Sequence, residues 1–299
     1  MSIVSYAQNF EDVMLWRALG NITNGFYVDI GANDPIIDSV TNLFYQNGWS
    51  GINVEPLKSH YNALIESRNR DINLNLAVSD RIEELNIWES EIRGWATLDE
   101  KVAEQHELNG FKGEWSKTST KTLSYIFEKH LSSDNKEIHF LKIDVEGVEE
   151  AVVRSNDWKR YRPWILVIES TAPNSKMESH EQWDDILKNN DYIFLYFDGL
   201  NRFYVSKEHE DLAVHFQTPP NIFDEFISSA EENYRKMTIS LNEKIIALNS
   251  EVEGYKRAID GLNDRIYTAN NRLNEVYSSN SWKMTMPIRK VSSFFKKES

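Results

Sequence analysis

The sequence predicts an α/β fold in which a mostly parallel seven-stranded sheet is wound with helices and followed by one long amphipathic helix. Three observations lead there. Up to Ser206, short apolar runs that suit strands buried on both faces alternate with stretches of helical spacing. Several of those runs end in a carboxylate, the position that faces the ligand crevice of an open α/β sheet. Beyond Pro219-Pro220 apolar residues recur every three and four positions instead. The expected divisions are 1–220 for the α/β domain, 221–280 for a coiled coil and 281–299 for a basic amphipathic tail.

Glu11 to Leu19 reads as a short amphipathic helix. The polar cluster before it, Gln8, Asn9, Glu11 and Asp12, is on composition an ordinary helix start. Phe26-Tyr-Val-Asp-Ile-Gly-Ala-Asn33 is a buried strand running into a tight turn, and a carboxylate there, Asp29, is costly to bury unless something binds it. Ile36 to Asn47 is long enough for a crossover helix leading to a second strand, Gly51 to Pro56. That strand ends in Glu55, whose carboxylate can accept two hydrogen bonds from a ribose diol.

The turn lacks the Gly-x-Gly-x-x-Gly that seats a pyrophosphate, having Gly31 followed by Ala32, Asn33, Asp34 and Pro35. Asp29 and Asp34 repel an anion but suit the sulfonium and α-amino group of S-adenosylmethionine. A helix from Leu57 to Arg68 leads to a third strand over Ile72 to Asp80, where Asp80 either meets the adenine edge or caps the next segment. Residues 82–89 read as a further strand. Residues 90–121, with Trp95 and Trp115, form a polar segment of no clear period, the kind of insert that carries substrate contacts or a lid.

After a helix over Leu123 to Leu131, Ile138 to Gly147 forms a buried strand interrupted by Lys142, Asp144 and Glu146. A buried Lys-Asp pair is a weak stabiliser, so three charges at a strand end point to an active site. The next strand, Pro163 to Ser170, ends in Glu169. At neighbouring strand tips Asp144 and Glu169 are close enough to share a divalent cation, or to act as acid and base. A helix over Gln182 to Asn189 and an antiparallel hairpin, Tyr192–Phe197 with Phe203–Ser206, close the domain.

Taken together, these residues resemble the FkbM family of S-adenosylmethionine-dependent O-methyltransferases over residues 5–206. The match rests on Tyr6-Ala-Gln-Asn-Phe-Glu-Asp12, Val28-Asp-Ile-Gly-Ala-Asn33, Asp38-Ser-Val-Thr41, Gly48-Trp49, Val54-Glu-Pro56, Ala77-Val-Ser-Asp80 and Leu141-Lys-Ile-Asp-Val-Glu-Gly147. The resemblance implies a class I methyltransferase fold, with Asp29, Gly31 and Asn33 around the methionine part of the cofactor and Glu55 on its ribose. It also implicates Gln8 and Glu11, which stand in the family's N-terminal motif. Where the family tends to read Thr-Leu-Asp, this chain has Thr122-Leu123-Ser124, so no role of that Asp carries over.

Asn221 is a helix cap candidate, and from Phe223 the apolar spacing alternates four and three. It continues through Ile245, Leu248, Val252, Tyr255, Ile259, Leu262, Ile266, Ala269, Leu273 and Val276, after a stutter between Leu241 and Ile245. Ile and Val at one core position with Leu at the other lean towards parallel dimers, with trimers left open. Roughly eight heptads reach ~80 Å at ~1.5 Å per residue, too far for a helix lying back on a domain of this size.

Ser281 to Ser299 has five basic residues and one acid, net +4, against −14 for the whole chain and therefore −18 for the remainder. Its interleaved apolar and basic residues suit a membrane surface or a partner groove, with a disordered tail as the competing reading. Ser281-Trp-Lys-Met-Thr-Met-Pro-Ile-Arg289 is similar to the Ser-Trp-Arg-x-Thr-x-Pro-x-Arg tails that come after coiled coils in bacterial polysaccharide glycosyltransferases. The acidic balance of the chain argues against a nucleic-acid binder. Absence of cysteine excludes disulfides and thiolate metal sites and is compatible with the cytoplasm. The N-terminus has no signal peptide pattern, and no apolar stretch is long enough to span a bilayer.

The expected function is methyl transfer to a hydroxyl of a sugar or surface glycan by a homo-oligomer at the cytoplasmic face of the inner membrane. Asp144, with Glu146 or Glu169, is the expected base or metal ligand, and Lys142 the orienting cation. Transfer to a phosphate, carboxylate or small metabolite is the first rival. A non-catalytic coiled-coil scaffold is the second.

Overall fold

The structure is a computed structural model of the chain and describes residues 3–90, 96–97, 100–131, 137–172 and 175–295. The chain begins β1 (Ile3–Ser5), α1 (Glu11–Leu19), β2 (Phe26–Ile30), α2 (Asn42–Gln46), β3 (Ser50–Val54), α3 (Lys58–Ser67) and β4 (Ile72–Leu74). A smaller substructure comes next, with β5 (Ala77–Val78), β6 (Glu84–Ser90), β7 (Ala96–Thr97), α4 (Glu100–Leu108) and β8 (Gly113–Lys121). Then come α5 (Leu123–His130), β9 (Phe140–Ile143), α6 (Glu149–Arg154), β10 (Ile165–Glu169), α7 (Asp184–Lys188), β11 (Tyr192–Phe197) and β12 (Asn201–Ser206). The chain continues as β13 (Phe226–Ser228), α8 (Ser229–Ser278), α9 (Asn280–Met284) and α10 (Met286–Phe295).

Among the described residues seven strands form the main sheet, in the order β11-β12-β10-β9-β2-β3-β4. All pair in parallel except β12, which is antiparallel to both its neighbours. The winding runs outward from β2 to β4 and then returns to β9, so the switch in direction falls between β2 and β9. That is where an α/β sheet opens a crevice at its carboxyl ends.

Both faces of the sheet are covered, which is why its strands read as continuous apolar runs. Val28, Ile30, Leu141 and Ile168 pack with Leu123, Phe127 and Val152 from α5 and α6. Tyr27, Phe140, Val167 and Phe203 pack on the other side with Met14, Leu15, Leu43 and Phe44 from α1 and α2.

Four expectations need correction. The third strand is split: β4 stays in the main sheet, whereas β5 pairs in parallel with β8 in a separate four-stranded sheet. The polar segment 90–121, which has no clear period, holds a strand: β8 is nine residues long and pairs antiparallel with β6 from Glu84↔Ser119 to Ser90↔Gly113. Most of β8 is wet on both faces, and only Thr118 and Thr120 are buried, so hydrophobic alternation gives no signal there. Trp95 lies outside the described residues.

The crossover expected over 36–47 forms a helix only at α2. Ile36 and Ile37 stay exposed in a turn whose backbone N–H groups both donate to Asp34 Oδ1 at 2.8 Å. Finally, the first compact unit runs to Ser229 rather than residue 220. β13 pairs in parallel with β1, taking Ile227 out of the helical spacing. Asn221 does form a capping box, but over the 3-10 turn Ile222–Asp224. Arg17 of α1 anchors this return through Asp224, at 2.7 Å from both Nε and Nη2, and through the carbonyls of His215 and Thr218.

The second unit spans Ala230–Ser299. α8 is 50 residues long with no buried residue. Residues 281–295 are helical apart from Thr285, which separates α9 from α10, while 296–299 lie outside the described residues. Ser279 Oγ caps α9 by accepting from Trp282 N, and the Arg289 guanidinium lies 3.5 Å from the Trp282 ring centroid. Among the described residues no helix is long and apolar enough to cross a membrane.

Candidate active site

The site is built on the carboxyl ends of β2, β3, β9 and β10. Parallel pairing sets Asp29 of β2 directly beside Lys142 of β9. On this inner row Lys142 Nζ lies 3.4 Å from Asp29 Oδ1, 3.2 Å from Asp144 Oδ2 and 3.2 Å from the Gly31 carbonyl oxygen. Burial pushes the lysine pKa down, but the Asp144 and Asp29 carboxylates outweigh it and hold the ammonium well above its ordinary value. The far oxygen of Asp29 accepts from Thr41 Oγ1 at 3.0 Å, where the first turn of α2 meets the strand tip.

The turn after β2 is drawn tightly against the tip of β9. Gly31 has φ +78°, and its N–H donates to the Val54 carbonyl. Asp144 N donates to the Ile30 carbonyl at 3.0 Å across the same junction. Asn33, also at positive φ, donates its backbone N–H to Glu55 Oε2 at 2.8 Å, while Leu57 N donates to Oε1 at 2.7 Å. Each Glu55 oxygen retains a second lone pair for a diol. The Asn33 side-chain oxygen is buried without a hydrogen-bond partner, which provides an acceptor for an amino group. These residues fit the adenosine and methionine ends of S-adenosylmethionine.

Burial lifts Glu55 to about 7, against the opposing pull of the Leu57 and Asn33 amides. Its raised value means that the folded apo domain binds a proton between its ordinary range and pH 7 where the unfolded chain does not. Apo stability is therefore fully favoured below the ordinary range and falls as pH rises towards 7, and Glu11 and Asp12 shift in the same direction. Cofactor affinity should run oppositely, because only the ionised carboxylate accepts from both hydroxyls. We expect S-adenosylhomocysteine to bind about tenfold more weakly at pH 6 than at pH 8 by calorimetry, and Glu55→Gln to flatten that dependence.

A second group of acids crowds the tips of β9 and β10. Asp144, Glu146 and Gly147 form a turn in which Glu146 has φ 56° and Glu149 Oε1 accepts from Val145 N at 3.2 Å and Gly147 N at 3.0 Å. Glu146 is open to solvent at its edge, and desolvation, with the charges of Asp144 and Glu149, raises it to about 7. Glu169 is buried and is pushed far above the carboxylate range by burial and then by Asp144, Glu146 and Glu149. It therefore holds a proton at neutral pH.

Glu11 joins this group from α1. Its Oε1 accepts from Asn201 Nδ2 at 2.8 Å and its Oε2 from Asn9 N at 2.9 Å, and Asn201 pairs with Glu169 in the β10–β12 register. Burial lifts Glu11 to about 7, with Asp198 adding to the effect. Glu11 is thus more than a helix start. Asp12 instead ties the chain before α1 to that helix, accepting from Ser5 Oγ at 2.6 Å and Tyr6 N at 2.7 Å.

The structure therefore gathers Asp29, Gly31, Asn33, Glu55, Lys142 and Asp144 along one crevice, with Glu146, Glu169 and Glu11 beside it. Gln8 is exposed on the loop before α1, and Asp80 is exposed just after β5, with Arg81 Nε 4.0 Å from its Oδ1. Sequence reading missed Thr41, Glu149, Asp198 and Asn201. Thr41 stood inside a matched motif, whereas Asn201 carries no local signal.

The shared cation expected at Asp144 and Glu169 does not fit. Among the described residues no group of three or more His, Asp or Glu is arranged to hold a metal ion. Lys142 already places its ammonium 3.2 Å from Asp144 Oδ2, so a cation there would meet a competing positive charge.

The model of the methyltransferase FkbM domain matches residues 29–194, more than half of the 299 residues. The chain belongs to the FkbM methyltransferase family. Three solved structures align with the chain at low identity. Methyltransferase FkbM from Methylobacillus flagellatus KT aligns at 13% identity and TM-score 0.40, over 65% of this chain and 47% of that one. The fibrillarin/Nop5p complex aligns at 10% and 0.34, over 67% and 80%, respectively. Trm1 from Pyrococcus horikoshii with S-adenosyl-L-methionine aligns at 14% and 0.30, over 68% and 56%. The chain thus spans about half the length of the FkbM protein it matches. No curated protein sequence matches it.

Proposed function

We propose that this FkbM-family domain methylates a hydroxyl group of a sugar in a bacterial surface glycan, using S-adenosylmethionine. The observation that carries the reading is the adjacency of two differently charged regions in one crevice. Asp29 and Lys142 with the Gly31–Asn33 turn make the cofactor floor, and Glu146, Glu169 and Glu11, acids whose pKa values burial raises, line the space next to it.

Bound there, the cofactor supplies a methyl group on a cationic sulfonium. Asp29 and the buried Asn33 oxygen orient its amino-acid end, and Glu55 holds the ribose. Lys142 fixes the positions of the Asp29 and Asp144 carboxylates and compensates their charge. Glu146, poised at about 7, is the base that removes the acceptor hydroxyl proton during attack, and neutral Glu169 steadies Asp144. Carboxylates and an asparagine around an open crevice also suit an acceptor rich in hydroxyl donors.

The tail similarity at Ser281 to Arg289 supports a glycan pathway at the cytoplasmic face of the inner membrane. Its exposed Met284, Ile288 and Val291 beside basic residues are the surface that would meet a glycosyltransferase or the membrane. The reading is tested by calorimetric titration with S-adenosylhomocysteine, followed by methyl transfer to polysaccharide fragments with and without excess chelator. We expect binding, and a chelator-resistant methyl ether on a sugar. Transfer only to phosphate or carboxylate acceptors would replace the glycan assignment, and absence of cofactor binding would leave a scaffold.

A further inference from the structure

We propose that two copies of this chain pair through α8 as a parallel, in-register, two-stranded coiled coil. From Ile245 to Val276 the apolar spacing is unbroken, with Ile245, Val252, Ile259, Ile266 and Leu273 at one seam position. Leu248, Tyr255, Leu262, Ala269 and Val276 occupy the other. The larger of these side chains are 48–68% exposed. A seam of two positions in seven, with Ile246 and Tyr267 the large apolar residues outside it and sustained for more than four heptads, matches another helix of the same repeat better than a sheet or a globular surface.

The helix is also poorly suited to standing alone. Gly254 and Gly261 lie on its outer face, where an added Cβ would meet open space, so no close packing requires them. Asn249, Asn263 and Asn270 add further weak helix formers. Such a segment gains stability by burying its seam rather than from propensity.

The flanking charges select the orientation. In a parallel pair each residue before a seam Ile, Val or Leu faces the residue five positions on in the other copy. Glu251 then faces Lys256 twice over. The remaining pairs are Lys244 with Asn249, Ala258 with Asn263, Arg265 with Asn270 and Arg272 with Tyr277, none of them of like charge. Lys256 holds Glu253 of its own chain at 2.7 Å, an exposed contact that exchanges at little cost. β-Branched residues dominate the first seam position and Leu248 and Leu262 stand at the second, the combination that favours two strands over three.

Sedimentation equilibrium of the full chain at micromolar concentration is expected to give twice the chain mass of 34.9 kDa. A single or triple mass overturns the assignment. Glu251→Lys should raise the dissociation constant by about tenfold through facing lysines, and Glu251→Lys with Lys256→Glu should restore it. A double variant as weak as the single one would rule out this pairing. Because the chain has no cysteine, Ala269→Cys gives a clean test of orientation. Oxidation should yield a disulfide-linked dimer, and a non-covalent dimer that fails to cross-link would refute the parallel register.

Discussion

Gly31→Ala is expected to abolish cofactor binding and to destabilise the α/β domain by about 3–5 kcal/mol. Two costs combine. At φ +78° an alanine pays about 1 kcal/mol of backbone strain. Its Cβ would also lie 1.8 Å from the Asp144 carbonyl oxygen, a backbone atom that cannot rotate aside. Relief requires the tips of β2 and β9 to separate. That would break the Asp144 N–H bond to Ile30 and pull Lys142 away from Asp29. Urea unfolding measures the stability loss, and titration with S-adenosylhomocysteine the binding loss. Gly199→Ala is the control: its φ is +102° but no atom lies near the added Cβ, so only about 1 kcal/mol should be lost and binding kept. Equal losses in both variants would show that strain, not the close approach, governs Gly31.

Glu146→Gln is expected to lower kcat by about 10²–10⁴-fold while leaving S-adenosylhomocysteine affinity unchanged. The amide keeps the shape and the exposed position but cannot accept a proton. A base acts when ionised, so kcat of the native enzyme should rise as pH increases through about 7, where Glu146 titrates. In the variant that limb should vanish. Glu146→Asp should recover part of the rate. An unchanged pH profile in Glu146→Gln would transfer the role to Asp144. Asp144→Asn is expected to behave differently, because it removes one of the two carboxylates that keep Lys142 charged and so weakens cofactor binding as well as turnover.

Much of this site was legible before the fold was known. An apolar strand with one acid at its end is a strong signal, since burying an unpaired carboxylate is expensive, and Asp29, Glu55, Asp144 and Glu169 all stood out for that reason. Asp34 was read by its charge alone, and the structure adds that its Oδ1 accepts two backbone amides of its own turn. A short acid in a loop can always satisfy itself locally, and sequence alone does not show which acids do. The strand β8 escaped notice because a hairpin wet on both faces carries no hydrophobic period.

The sequence by itself showed most strands of the main sheet and the helices between them, the acids at their tips, the family and the apolar repeat of the long helix. Each of these is a local pattern, read within a strand or over consecutive heptads. Only the tertiary structure decided that Asp29 neighbours Lys142, that Asn201 joins Glu11 to the tip carrying Glu169, and that β13 returns to β1 and moves the domain edge to Ser229. These contacts link residues far apart in the chain, and they depend on register between strands and on which face of the sheet a helix covers. Lys142 shows the difference most clearly: as a residue it is a charge in an apolar strand, and in the sheet it is the cation shared by Asp29 and Asp144.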